Sequence, residues 1–307
     1  MFFKRKVIHS PVDNSVDNRG LVVVNLPFLV NLSQSAKVIN LFHRRIRSQL
    51  SGGYVSQHKG RGMEFDEVRL YQAGDDIRTM DWKVTARTGK AHTKVFREER
   101  ERPVFISVDN RKTMQFATRG VFKSVQAAKL AALIAWAAKH HGDRIGGQVF
   151  GEDYCQEIKP QNGKHGVLRF LNTLVKPSEA FKQVFSFERV LARLQQHARP
   201  GSLIYLISDF RGLSETTESY MAKLSRHCEL VLIFVYDPLE KSLPEQGRYR
   251  FTDDESDVTI DSSDKQTLLS YQQRFQQHQN YLESLAKKLG LLLIQCDTTA
   301  EAVECLR

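Results

Sequence analysis

Cysteine and long apolar runs are both scarce in this 307-residue chain, and each shortage removes a class of protein. The four cysteines, Cys155, Cys228, Cys296 and Cys305, form no Cys-x-x-Cys pair. None sits beside histidine at a zinc-like spacing, so a structural zinc site is excluded and reduced thiols are expected. No apolar stretch reaches the roughly 20 residues of a membrane-crossing helix. The nearest, Leu21 to Leu32, is interrupted by Asn25, Pro27 and Asn31. The N-terminus lacks the long apolar centre of a signal peptide, so a cytoplasmic protein without an integral membrane segment is expected. The chain also lacks a Gly-x-x-x-x-Gly-Lys-Ser/Thr loop, a Gly-x-Ser-x-Gly elbow and a His-Glu-x-x-His pair, and Gly146-Gly147 has no dinucleotide-binding frame. Nothing in it supports nucleophilic catalysis.

Acids are the minority charge: 35 Asp and Glu stand against 45 Lys and Arg, a net of +10. The imbalance lies in residues 1–102, with 19 basic and 11 acidic side chains. A basic half could face nucleic acid. Here, though, the signs alternate, as in Arg97-Glu98-Glu99-Arg100-Glu101-Arg102, and no basic run carries interleaved aromatics. That favours a solvated surface with local ion pairs, and no nucleic acid is expected as a partner. At 41% hydrophobic and 26% charged, the chain is that of a globular protein.

What is present divides the chain. Residues 1–18 are polar and read as a loose N-terminus. Residues 19–102 read as a helix, with Val38, Leu41, Phe42, Ile46 and Leu50 near one face over 34–50, followed by a β-rich module of short extended segments. From residue 103 to 307 apolar strands alternate with helices. Strands are expected at Val104–Val108, 144–150, 154–158, 202–207, 229–236 and 291–295. Helices are expected at 121–141, 165–175, 186–197, 214–227 and 265–289. An excursion at 238–262, rich in Pro, Gly and acids, is expected to hold a hairpin. Apolar strands without polar alternation belong to a parallel sheet covered on both faces, a doubly wound α/β domain. Ligands of such folds sit at the C-terminal rim of the strands. Two strands end there in an acid, Asp109 and Asp209.

The segment Asp109-Asn110-Arg111-Lys112-Thr113-Met114 resembles the metal-ion-dependent adhesion site of von Willebrand factor type A domains. There an aspartate and two hydroxyls at a strand end help to hold a hard divalent cation. Ser208-Asp209 falls where that fold supplies a second aspartate. Arg111 replaces the first hydroxyl, however, and a guanidinium cannot ligate a cation. The expected site is therefore a degenerate, metal-free one in which Arg111 pairs with Asp109 or Asp209. The alternative is Mg²⁺ held by Asp109, Thr113 and Asp209.

A longer run, from Gly60 to Arg87, contains Glu64-Phe65, Val68-Arg69, Gly74-Asp75-Asp76-Ile77-Arg78 and Asp81-Trp82, and closes on Ala86-Arg87. It resembles the signature of the bacterial family called domain of unknown function 58. The resemblance covers about residues 40–260. It implies a von Willebrand factor A-like domain with a β-rich N-terminal extension. It also implies a MoxR-type AAA+ ATPase as partner in assembly or maturation of other proteins, with other von Willebrand factor A proteins as further partners. Read from the residues alone, Asp75, Asp76 and Asp81 alternate with Arg69, Arg78 and Arg87, the recipe for a paired network. Trp82 reads as a core anchor.

Together these readings predict a non-enzymatic, chaperone-like interaction protein without a cofactor, its contact surface formed by Asp109, Arg111, Thr113 and Asp209. Two alternatives remain. One is a Mg²⁺-dependent hydrolase using Asp109 and Asp209 with Asp75, Asp76 or Asp81. The other is a nucleic-acid binder using the basic N-terminal half.

Overall fold

The structure is a computed structural model that describes residues 23–41, 63–98, 102–176, 185–244, 247–252 and 257–307. The chain forms two compact units, residues 46–101 and the remainder.

The first helix, α1 (Leu26–Asn31), starts where Asn25 Oδ1 accepts the Phe28 N–H at 2.9 Å, with Pro27 in its first turn. A single 3-10 turn follows at Ser35–Val38. Over 34–41, the described part of the helix expected at 34–50, the chain makes only that turn, and Ile39 is already extended. Residues 42–50 of that expectation lie outside the described residues.

In the smaller unit, strands β1 (Met63–Leu70) and β2 (His92–Glu98) pair antiparallel, with a bulge between Phe65 and Glu67. Between them lie a 3-10 turn (Ile77–Thr79) and helix α2 (Trp82–Thr88), where extended segments separated by turns, and no helix, were expected. The cause is local. Asp81 caps the N–H groups of Lys83 and Val84, and Gly89 closes the helix at φ 70°, so both ends of a seven-residue helix are satisfied. No apolar side chain described in this unit is buried.

The larger unit is built on β3 (Pro103–Asp109), α3 (Lys123–His140), β4 (Arg144–Phe150), β5 (Cys155–Gln161), α4 (Gly163–Val175) and α5 (Phe187–His197). It continues with β6 (Leu203–Ser208), α6 (Glu215–Ser225), β7 (Glu229–Tyr236), α7 (Pro238–Lys241) and the hairpin β8 (Arg248–Thr252) and β9 (Asp257–Asp261). Helix α8 (Lys265–Leu289), β10 (Leu292–Asp297) and α9 (Ala302–Cys305) complete it. The sheet order is β10-β7-β6-β3-β4-β5, parallel except for β5 at one edge. This is the expected α/β architecture, and the 238–262 excursion does contain the hairpin.

Alternate residues of the central strands feed two cores. Val104, Ile106 and Val108 face α3 and α4, while Phe105, Ile204 and Leu206 face α5, α6 and α8. Residues 26–41 were expected to belong with the β-rich module, yet they pack on the first core. Trp136 of α3 donates its ring N–H to the Leu29 carbonyl at 3.0 Å, which fixes α1 there. The chain leaves β3 toward β4 and leaves β6 toward β7, so the order reverses between β3 and β6. Asp109 and Ser208 end those two strands.

Candidate functional site

Asp109 is fully buried at the switch point, and four groups bond its carboxylate. The Arg111 backbone N–H donates to Oδ1 at 3.0 Å, Arg111 Nε reaches Oδ1 at 3.0 Å, Arg111 Nη2 reaches Oδ2 at 2.7 Å and Ser208 Oγ donates to Oδ2 at 2.6 Å. The Arg111 fork continues to Asp209 Oδ1 at 3.6 Å and donates from Nη1 to the Arg211 carbonyl at 3.0 Å. Its plane lies over the Phe187 ring, 5.0 Å from the centroid. The side chain is only 13% exposed, and its donors face inward. Its proton is held more firmly than an ordinary guanidinium's. Burial works against the charge, but Asp109 and then Asp209 outweigh it.

Asp209 carries the network onward. Its Oδ2 lies 3.1 Å from Lys123 Nζ, and the same ammonium lies 3.1 Å from both oxygens of Glu240. Arg211 closes the ring, with Nη2 2.7 Å from Glu240 Oε1 and Nε 3.6 Å from Asp209 Oδ2. Three carboxylates and three cations are thus gathered, and their formal charges cancel. Burial pushes the Asp209 and Glu240 acids upward, but Lys123 and Arg211 around them hold both below the usual carboxylate range.

The backbone is shaped to this purpose. Phe210, between Asp209 and Arg211, takes φ 53°, a left-handed conformation uncommon for an aromatic residue. Its N–H donates to Ser208 Oγ at 2.8 Å, so one serine ties the strained turn to Asp109. Below, Asp237 caps α7 and receives hydroxyls from Thr118 and Thr298, while its own N–H donates to Glu240 Oε2 at 3.0 Å. That bond fixes the Glu240 carboxylate toward Lys123.

Of the residues expected at this rim, the structure brings Asp109, Arg111 and Asp209 together. Thr113 is not joined to them: its hydroxyl is buried and finds no partner. The donor set does not fit a divalent cation. Both Asp109 oxygens are committed to Arg111 and Ser208, and a guanidinium fills the position of the ligating hydroxyl. Among the described residues no group of three or more His, Cys, Asp or Glu side chains could hold a metal ion.

Lys123, Arg211, Glu240 and Ser208 escaped the sequence reading as members of the network. One signal was available. A lysine in the first turn of a helix opposes the helix dipole, and Lys123 opens α3 with no acid in that turn. Such a position needs carboxylates from elsewhere in the fold.

In the smaller unit the expected charge network reduces to one close pair and three caps. Arg69 Nη2 lies 2.7 Å from Asp75 Oδ1, and Asp75 also accepts the Gln72 N–H. The Gln72 N–H and then Arg69 hold the Asp75 acid below its usual range. Asp76 accepts the Arg78 N–H, and Asp81 caps α2 with Lys94 3.8 Å away. Arg78 and Arg87 are exposed and make no ion pair among the described residues. Trp82 is 65% exposed, which corrects its reading as a core anchor, and no apolar side chain described in the smaller unit is buried. The side chain of Glu64 lies outside the described residues.

Two of the four cysteines differ from the expected reduced thiols. Cys296 and Cys305 are joined in a disulfide, because the turn after β10 brings α9 back with the two Cα atoms 5.7 Å apart. Cys155 and Cys228 are free and buried. Burial pushes the Cys155 thiol up to about 11, so it is no nucleophile at neutral pH. No helix among the described residues is long and apolar enough to cross a membrane.

Fold and rim define a doubly wound α/β domain whose strand ends are closed by internal ion pairs. Residues 67–281 match the family described as "Protein of unknown function DUF58", and the chain belongs to that family. The uncharacterized proteins Rv1480 of Mycobacterium tuberculosis and Mb1516 of Mycobacterium bovis are each 29% identical over 223 residues, 72% of this chain and 69% of theirs. Among solved structures, the conserved hypothetical protein BatB from Bacteroides thetaiotaomicron matches 67% of this chain and 95% of its own at 15% identity and a TM-score of 0.46. An aerotolerance-related membrane protein from Bacteroides fragilis matches 67% of this chain and 96% of its own at 17% identity and a TM-score of 0.45.

Proposed function

We propose that the chain is a non-enzymatic protein-interaction module, working with a MoxR-type AAA+ ATPase in assembly or maturation of other proteins. Its contact surface would be the rim around Asp109, Arg111, Thr113 and Asp209. The observation that carries this reading is the closed six-charge network at the strand ends, where an α/β domain receives its ligands. Every carboxylate in it already has a cation. The rim therefore holds no poised base or open coordination position with which to do chemistry.

The resemblance of the signature run supports the ATPase as partner, and the charge network supports a rigid docking face. Arg111 would act as the internal substitute for a metal's charge and as the organiser of the two loops. An incoming partner carboxylate would meet Arg211, whose side chain is 37% exposed, rather than the inward-facing Arg111 fork.

Hydrogen exchange of the full chain with and without the ATPase encoded by the same genome, in ATP and in ADP, tests the proposal. The expected footprint is protection of residues 109–114 and 209–214, with binding weakened in Arg211→Gln. Protection confined to other segments would sink the rim as the contact surface, and absence of binding in both nucleotide states would remove the ATPase as partner.

A further inference from the structure

The two ends of the Cys296–Cys305 bond differ in access. Cys296 on β10 is 1% exposed, whereas Cys305 on α9 is partly open to solvent. The return from β10 to α9 brings Ala302 and Leu306 into the core that α3 lines. At the start of that return, Thr298 Oγ1 donates to Asp237 Oδ2 at 2.7 Å, and the Asp237 N–H in turn holds Glu240.

Gln126 of α3 meets the same bond. It is fully buried, and its Nε2 donates to Cys296 Sγ at 3.3 Å and to the Ala300 carbonyl at 2.8 Å. Its Oε1 is also buried and has no hydrogen-bond partner among the described residues. An unpaired buried acceptor destabilises the state that contains it. A disulfide sulfur can only accept, but a thiol carries a hydrogen to donate. Opening the bond supplies a donor beside this amide, which offsets part of what the cross-link contributes.

We propose that Cys296 and Cys305 form a reversible redox latch, exchanging with a low-molecular-weight thiol–disulfide couple such as glutathione, and that opening it loosens residues 298–306 from α3. In closing, the Cys305 thiolate attacks glutathione disulfide, expels one glutathione thiolate and becomes a mixed disulfide. The Cys296 thiolate then attacks Cys305 Sγ and expels the second glutathione. Two electrons and two protons pass from the pair, leaving two molecules of reduced glutathione. In opening, a glutathione thiolate attacks the accessible Cys305 sulfur and Cys296 leaves as thiolate. A second glutathione then releases Cys305 and departs as glutathione disulfide. Cys155 and Cys228 take no part, because both are buried and burial pushes their thiols up. This inference does not depend on the ATPase reading.

The test equilibrates the full chain in glutathione buffers of stepped reduced-to-oxidised ratio, followed by alkylation and mass spectrometry. The pair is expected to titrate in one two-electron step, with Cys155 and Cys228 remaining thiols. Hydrogen exchange over residues 298–306 should be roughly tenfold or more faster in the dithiol form. Cys296→Ser should capture one glutathione at Cys305, while Cys305→Ser should capture none at the enclosed Cys296. Circular dichroism checks that both variants fold, and the native chain carries the first two readouts in any case. A pair that stays oxidised, or stays reduced, at every ratio overturns the latch. Equal exchange over 298–306 in the two states overturns the loosening, and capture at Cys296 instead of Cys305 overturns the order of attack.

Discussion

Lys123 Nζ lies 3.1 Å from Asp209 Oδ2, and the two side chains are 0% and 2% exposed. A pair so enclosed cannot fall back on water when one member is removed. Lys123→Met would leave Asp209 and Glu240 buried with Arg211 and Arg111 as their remaining cations. The expected cost is about 3–5 kcal/mol of folding stability, read from urea denaturation. A loss near that of a surface lysine would show the ammonium to be far less enclosed than described.

Acid should weaken the fold. The Asp209 and Glu240 acids are depressed in the native state, chiefly by Lys123 and Arg211 acting against their burial. A depressed folded pKa contributes stability that is complete above the unfolded value and is lost as pH falls toward the folded one. The melting temperature should therefore hold near neutrality and drop below about pH 4, the ordinary carboxylate range. A flat profile down to about pH 3 would contradict the network's contribution.

Divalent cations should not register. Millimolar Mg²⁺ or Mn²⁺ is expected to give no binding heat with the native chain and no change in melting temperature. Arg111→Ser removes the guanidinium and supplies a hydroxyl beside Asp109, Thr113 and Asp209, so it should gain Mg²⁺ affinity. Calorimetry on both proteins decides the matter, and heat from the native chain would restore the metal-bearing alternative.

The Cys296–Cys305 disulfide closes a short loop at the end of β10. Cys305→Ser is expected to lower stability by about 2–3 kcal/mol under oxidising conditions and to have little effect in reductant. Alkylation and mass spectrometry of protein taken directly from cells shows whether the pair is bonded there. Four alkylated cysteines without added reductant would place the chain among reduced proteins.

Much of this architecture is written in local pattern. The runs Leu203–Ile207 and Leu230–Val235 are apolar without interruption, and Val104–Val108 is broken only by the buried Ser107, because both faces of their sheet are covered; two of the three end at the acids of the rim. The pairing of Asp109 with Arg111 was legible because the two are neighbours at a strand end. Lys123 was not, since its carboxylates lie 86 and 117 residues further along the chain and meet it only through the topology. Trp82 misled for a related reason. An aromatic residue is a core anchor only where the fold lays other apolar groups over it, and Trp82 stays 65% exposed at the start of its helix. The two bonded cysteines were hidden too, because a separation of nine residues says nothing about the turn that brings them together.

The positive charge facing Asp109 arrives on a side chain two residues away rather than from solution. A bound ion comes and goes with its concentration, and any surface that depends on it is partly empty whenever that ion is scarce. A tethered guanidinium has no dissociation constant. The pairing of Arg111 with Asp109 therefore needs no ion from solution, and it stays formed through starvation, chelation or flux of metal.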